Sequence, residues 1–309
     1  MKKAAVCIAT CRRNDGLSTL LQELKRQEIP QGWELEVRVV SNDPQVDQHR
    51  FVHMVTEILP NAIISFEPQQ NIALARNATI RIGNADAFLF IDDDERPGAT
   101  WLRSLLYRLT DPEIDAVIGP VIGNQNGHAP TWLEQSGAFD KLGPDHDGAI
   151  NWCQTRTSSA AIRGDLLCRY GEMFNPEYGR SGGSDTELFK RLEEKGAKFV
   201  HERAAFVFED NKPDRCCWRA VLSRRFKAGV VYGRMQLQGE TAEAAKFLIT
   251  RSGYGVTLML VGSVPMIFGY PAIAFHGACR FVTAIGAWRG RRSSYNVVRY
   301  KPVELSTAS

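Results

Sequence analysis

The chain has 309 residues, 44% of them hydrophobic and 24% charged, which is enough apolar sequence for a full core and excludes a disordered or collagen-like polymer. Its net charge of +3 hides an asymmetry: from Arg215 onward 14 Lys/Arg stand against 3 Asp/Glu, whereas the first 214 residues carry 24 basic and 32 acidic groups. The seven cysteines are odd in number and form no Cys-x-x-Cys pair, which argues against a disulfide framework or a zinc site and suits a reducing cytoplasm.

The opening Met1-Lys-Lys-Ala-Ala-Val-Cys-Ile-Ala-Thr10 superficially resembles a signal peptide, but its apolar run is short and meets Arg12 and Arg13. Residues 4–9 are therefore expected to be a first strand. Residues 15–27 follow as a helix with Leu17, Leu20, Leu21 and Leu24 on one face. A strand over 35–40 ends in the turn-like Ser41-Asn-Asp-Pro44. Helix over 48–59, strand over 62–66, helix over 72–82 and strand over 87–91 continue the alternation. Pro97 and Gly98 precede a helix near 101–109, and 115–118 is a further strand. Such a βαβ succession predicts a mostly parallel sheet with helices on both faces. Residues 123–150, rich in Gly, Pro, Asp and Asn, are expected to be a loop over the site. Ser184-Asp-Thr-Glu187 has capping-box spacing at the head of a helix over 186–195, and Gly182-Gly183 permits a sharp turn into it.

Phe88-Leu-Phe-Ile-Asp-Asp-Asp-Glu95 carries most of the chemical information. Four apolar residues form a buried strand, and four carboxylates stand at its carboxyl end, where open α/β sheets bind ligands. Strand alternation would point Asp92 and Asp94 one way and Asp93 and Glu95 the other. A divalent ion completed by phosphate oxygens would relieve their repulsion. The plainer alternative is a set of solvated acids preceding a helix. The six histidines have no ligand spacing and are taken as structural. Trp132 and Trp152 either stack on acceptor sugars or pack.

Five segments fall in order: Val6-Cys-Ile-Ala-Thr10-Cys-Arg-Arg13, Val39-Val-Ser-Asn-Asp43, Glu67-Pro-Gln-Gln-Asn71-Ile-Ala-Leu-Ala-Arg76-Asn77, Phe90-Ile-Asp-Asp-Asp-Glu95 and Gly182-Gly-Ser-Asp185. Together, over roughly residues 1–227, they resemble the family 2 inverting glycosyltransferases of GT-A fold, most closely the bacterial succinoglycan-type exopolysaccharide glucosyltransferases. The resemblance implies a metal-dependent enzyme moving a hexose, glucose, from a UDP-sugar to a lipid-linked saccharide acceptor in exopolysaccharide or cell-surface polysaccharide synthesis. It implies that Thr10, Asn42 and Asp43 line the uridine pocket, with Ser41 where the family usually has an acid. Arg76 would hold the diphosphate, and Asp92 and Asp93 the nucleotide-sugar. Asp94 with Asp92 would hold Mg²⁺ or Mn²⁺. Asp185, preceded here by Ser184 instead of the family's Glu, matches the general base; read alone it is a first-turn acid favoured by the helix dipole. Glu209-Asp210 resembles a segment closing the site.

A sugar nucleotidyltransferase also uses strand-end aspartates, but Ala9-Thr-Cys-Arg-Arg-Asn-Asp15 offers no glycine-rich phosphate loop. An inactive, membrane-docked assembly protein would have no need of Asp92, Asp94 and Asp185 together. Residues 252–279 contain no Asp, Glu, Lys or Arg, long enough for a membrane span. A single crossing would place Arg280, Arg289, Arg291, Arg292 and Arg299 opposite the catalytic domain, against the positive-inside tendency. The expectation is a catalytic domain at 1–227 and a basic, apolar helical region at 228–309. The latter would re-enter or lie on the cytoplasmic face of a bacterial inner membrane as a helix pair broken near Pro265–Pro271. A buried helical hairpin is the alternative. Basic residues that flank an apolar block, without interleaved aromatics, give no nucleic-acid reading.

Overall fold

A computed structural model describes residues 1–170, 173–180, 182–237, 241–267 and 271–291. They form two compact units. The first holds Met1–Ile122 and Lys141–Glu209; the second holds Gly123–Asp140 and the described residues from Asp210 onward. In chain order the elements begin with β1 (Lys2–Thr10), α1 (Asn14–Lys25), β2 (Trp33–Ser41), α2 (Gln48–Ile58), β3 (Ile63–Phe66), α3 (Ile72–Arg81) and β4 (Ala87–Phe90). Then come β5 (Glu95–Pro97), α4 (Trp101–Arg108), β6 (Ala116–Ile118), β7 (Val121–Asn124), α5 (Thr131–Gln135), β8 (Gly148–Ile150) and β9 (Ala160–Arg163). The remainder are α6 (Gly164–Tyr170), α7 (Ser184–Glu194), β10 (Phe199–His201), β11 (Val207–Asp210), α8 (Trp218–Gln236), α9 (Thr241–Ile267) and α10 (Ala272–Arg291).

The alternation of strand and helix up to β4 follows the expected pattern to within a few residues at each end. Eight strands make one sheet in the order β3-β2-β1-β4-β9-β6-β10-β8. β3, β2, β1 and β4 run parallel, as do β6 and β10, whereas β9 and β8 run against their neighbours. β1 and β4 are buried almost throughout, and Leu17, Leu20, Leu21 and Leu24 of α1 close one face of the sheet. Fully burying each such leucine contributes about 1.5–3 kcal/mol.

α3 is fixed at both ends by polar side chains. Asn71 caps its start, its Oδ1 accepting from the Ala73 and Leu74 amides. At the other end the buried Arg38 of β2 donates to the carbonyls of Thr79 and Gly83 at 3.0 and 2.8 Å. These bonds satisfy carbonyls that a helix end leaves without partners.

Three expectations are corrected, and one strand adds to what the sequence suggested. Residues 123–150 are not a loop: they contain α5 and β8, with Leu133, Ala138 and Phe139 packed against Val221, Phe275 and Cys279 in the second unit. No capping box opens α7. Gly183, left-handed at φ +93°, is the N-cap without a side-chain hydrogen bond, and Glu187 instead holds Arg191 at 2.6 and 2.9 Å. The expected boundary at 227/228 falls inside α8, a continuous helix, and the units divide near Glu209 instead. Finally, β9 interposes an antiparallel strand between β4 and β6.

In the second unit α10 packs on both α8 and α9. A Cβ at Gly233 would collide with the Ala287 carbonyl, and one at Gly286 with that of Phe226, so glycine sets the close approach of α8 and α10. The helical pair expected around Pro265–Pro271 corresponds to α9 and α10; residues 268–270, Arg292 and Arg299 lie outside the described residues. Among the described residues no helix is long and apolar enough to cross a membrane.

Candidate active site

The site is built where the parallel strands end. β1 ends at Thr10, and Arg12 turns the chain through a left-handed conformation, φ +57°. That turn costs a non-glycine residue energy and brings Arg13 back toward the end of β4. β4 ends at Phe90, and the chain turns at once, the Glu95 amide donating to the Asp92 carbonyl at 3.0 Å. The acids therefore lie on a turn and not along a strand, and the expected alternation is not kept. Asp93 and Asp94 face the same cation: Arg13 Nη1 lies 2.8 Å from Asp93 Oδ1 and 2.7 Å from Asp94 Oδ2. Asp92 faces elsewhere, accepting from Arg76 Nη2 at 3.0 Å and from the Ser158 hydroxyl at 3.2 Å.

Thr10 donates its hydroxyl to Asp93 Oδ2 at 2.7 Å, and both side chains are buried. Asn42 is also buried, and its polar atoms are all engaged. Its Nδ2 donates to the Glu67 and Gln69 carbonyls at 2.8 Å each, and its Oδ1 accepts from the Asn71 amide at 2.9 Å. Asn42 thereby shapes the loop ahead of α3, the helix that carries Arg76. Asp43 pairs with Arg12 Nε at 3.1 Å. Asp185 lies in the first turn of α7, its Oδ1 accepting from the Thr186 amide at 2.9 Å.

Lys141 and Arg156 at the site were not singled out from the sequence, whereas Glu95 and Glu209 were. β11 pairs with β5 so that Glu209 stands opposite Glu95, and Lys141 reaches Glu209 at 2.7 Å. Arg156 donates to the Gly119 carbonyl at 3.1 Å, and its charge is favoured by both Asp185 and Glu95 although burial opposes it. Arg156 thus lies within electrostatic range of both Asp185 and Glu95. Arg13 was likewise given no role, although it is the second of two arginines directly after β1.

The electrostatics separate the four acids. Burial opposes the charge of Asp92, but Arg76 and Lys141, with hydrogen bonds from Arg76 and Ser158, hold it below the usual carboxylate range. Asp94 is pushed up to about 6 by burial, against Arg13, with Asp92, Asp93 and Glu209 adding repulsion. Burial raises Asp93 against Thr10 and Arg13. Burial and then Asp92 drive Glu95 well above its ordinary range. Glu95 Oε1 is buried without a hydrogen-bond partner.

A divalent cation fits this donor set. Hard carboxylate oxygens held at unfavourable charge density would gain from a nearby dication. Among the described residues no three His, Cys, Asp or Glu side chains form a ready-made cage. The protein would supply Asp94 and, if the ion displaces Arg76 and Ser158 from its carboxylate, Asp92, with diphosphate oxygens and water completing the shell, as Mg²⁺ sites commonly do.

Trp152 is buried beneath Lys190, which lies 5.8 Å from its ring, and so packs instead of offering a stacking face. Trp132 packs edge-on against Phe275 at 5.4 Å. His201 is buried, its Nδ1 3.3 Å from the His146 carbonyl, in keeping with a structural histidine.

The sequence model of glycosyl transferase family 2 matches residues 5–167. The succinoglycan biosynthesis protein ExoM of Rhizobium meliloti (strain 1021) is 29% identical over 234 residues, covering 74% of this chain and 73% of that protein. Among solved structures, the mannosyltransferase PcManGT from Pyrobaculum calidifontis, in complex with GDP-Man and Mn²⁺, is similar with a TM-score of 0.63 and 16% identity, over 93% of this chain and 87% of that one. The TarS 1-349 fragment of S. aureus in complex with UDP gives a TM-score of 0.55 at 14% identity, over 98% and 94%. With the family model spanning more than half of its length and a mostly parallel sheet of the same architecture, this chain belongs to glycosyl transferase family 2 and is a glycosyltransferase of GT-A fold.

Proposed function

We propose that the chain transfers a hexose from a UDP-sugar to a lipid-linked saccharide with inversion, in the synthesis of an exopolysaccharide or another cell-surface polysaccharide. Glucose is the first donor to test. The observation that carries this reading is the turn after β4, where Asp92, Asp93 and Asp94 are bracketed by Arg13 and Arg76. That arrangement suits a diphosphate bound together with a cation. A uridine donor is supported by TarS structures solved with UDP and with UDP-GlcNAc, and the polysaccharide context by the name of the ExoM relative.

In this reading Asp43 and Thr10 border the nucleoside, with Asn42 shaping the adjacent loop. Arg13 and Arg76 turn their guanidinium groups to the phosphate oxygens, and Asp93 and Asp92 fix those two arginines. Mg²⁺ or Mn²⁺, held by Asp94 and Asp92, would supply positive charge to the leaving diphosphate. Asp185 takes the proton of the acceptor hydroxyl as its oxygen bonds to the anomeric carbon from the face opposite the phosphate. The bond between that carbon and the phosphate oxygen breaks with its electron pair, and UDP leaves.

Incubation of the purified chain with a panel of radiolabelled UDP-sugars and a bacterial lipid extract, with and without Mn²⁺, tests the proposal. Label should pass to the organic phase from one UDP-hexose, only with the ion. Transfer from no UDP-sugar, or equal transfer in EDTA, would overturn it.

A further inference from the structure

The second unit leaves one face of α9 uncovered. Ile249 is 70% exposed, Leu260 68% and Val261 60%. Ile249, Val256 and Leu260 are spaced seven and four residues apart, so they form a single stripe along the helix. Lys246 stands one turn earlier, and Tyr254 and Val261, about 120–140° around the helix, mark the other edge of the exposed face. The opposite face is used inside the unit: Gly255 and Gly262 meet Gly277 and Ala274 of α10 at backbone distance. Exposed branched side chains aligned on one stripe differ from the scattered apolar residues of an ordinary surface.

Cations stand at the far border of the exposed face, across α9 from this stripe. Arg280 of α10 lies over the exposed Tyr254 ring at 4.8 Å, and Arg251 over Phe247 at 5.4 Å. α8 adds Arg219, Arg224, Arg225, Lys227 and Arg234. From Arg215 onward the sequence holds 14 basic and 3 acidic residues. A second copy of the chain seated here would bring two strongly basic surfaces together, which is electrostatically unfavourable. A negatively charged partner with an apolar layer meets both the charge and the stripe. No described helix is long and apolar enough to cross a bilayer, which leaves surface attachment.

We infer that the outer face of α9 docks on an anionic lipid bilayer, the helix lying along the surface. Ile249, Val256, Leu260 and Val261 enter the boundary between headgroups and acyl chains. Lys246 and Arg280 meet lipid phosphates, and the Tyr254 ring sits at headgroup depth. Apolar insertion and charge act as two signals, which stable surface anchoring generally requires. This inference stands independently of the transfer reaction, because it uses none of the residues of the β4 turn.

The test is cosedimentation of the full chain with phosphatidylcholine vesicles containing or lacking phosphatidylglycerol, at low and high salt. Binding should need the anionic lipid and should persist in part at high salt, which screens only the charge contribution. Substituting Ile249→Ser, Leu260→Ser and Val261→Ser together should weaken binding at least about tenfold, by the loss of several buried methylene equivalents. Arg280→Gln should weaken it less and steepen no salt dependence. These side chains point outward, so circular dichroism should be unchanged; Leu260→Glu alone gives a second reading if the triple variant unfolds. Undiminished binding of both variants, or equal binding to neutral vesicles, would overturn the inference. A concentration-dependent dimer that the variants abolish, with no vesicle binding, would assign the face to a second copy of the chain instead.

Discussion

Arg13 holds Asp94 at 2.7 Å across 81 residues of sequence, with the same nitrogen 2.8 Å from Asp93. The guanidinium thus occupies ground beside the carboxylate assigned to a divalent ion. Arg13→Gln should let Mn²⁺ bind the nucleotide-free protein several-fold more tightly, while UDP binding weakens by roughly tenfold, about 1.4 kcal/mol. Paramagnetic resonance of free Mn²⁺ during a titration measures the first, and calorimetry the second. An unchanged Mn²⁺ affinity would mean that Arg13 does not compete for Asp94.

Asn42→Ala removes three buried hydrogen bonds, two to carbonyls and one from the Asn71 amide. At about 0.5–1.5 kcal/mol each, the loss should be about 2–4 kcal/mol of stability. Thermal unfolding should show a fall of several degrees. A variant that unfolds like the wild type but has lost uridine discrimination would return Asn42 to the nucleoside pocket.

Asp185→Asn should leave UDP affinity within a factor of about two and lower turnover by about two orders of magnitude or more, the scale of general-base catalysis. The amide retains the hydrogen-bonding shape at the start of α7 while losing basicity. Near-normal turnover would reduce Asp185 to a helix-start residue.

Cys7 lies in the middle of β1, and burial pushes its thiol from 9.0 up to about 12. It should therefore resist alkylation at pH 8 in the folded protein, while the exposed Cys217 reacts. Because the folded value is the raised one, this thiol contributes stability below about pH 9 that is lost progressively between about 9 and 12. Mass spectrometry after iodoacetamide treatment checks the labelling; rapid modification of Cys7 without unfolding would contradict its burial.

Much of the first unit was legible because local signals agreed with the fold. Leucine spacing gave α1, and the apolar run ending in acids gave β4 and the position of the site. What was not legible depends on residues distant in sequence. Arg38 interrupts an apolar strand, and the carbonyls at the end of α3, distant in sequence, are what its far end reaches. β9 is too short and alanine-rich to declare itself, and its register follows from neighbours on both sides. Lys141 and Glu209 meet because Lys141 bridges to Val121 of β7, which lies beside β11. The spacing of Ser184 and Glu187 suggested a cap, but the left-handed Gly183 took that place. Asp92 and Asp94 were expected to share a face, and the turn that begins just after Phe90 separates them.

The central claim, that the β4 turn binds a nucleoside diphosphate together with a divalent ion, is tested most directly by calorimetry of UDP binding in Mn²⁺ and in EDTA, for the wild type and for Asp94→Ala. The account predicts binding by the wild type in Mn²⁺, its loss in EDTA, and the same loss in a folded Asp94→Ala variant. Equal UDP affinity in all of these conditions would contradict it.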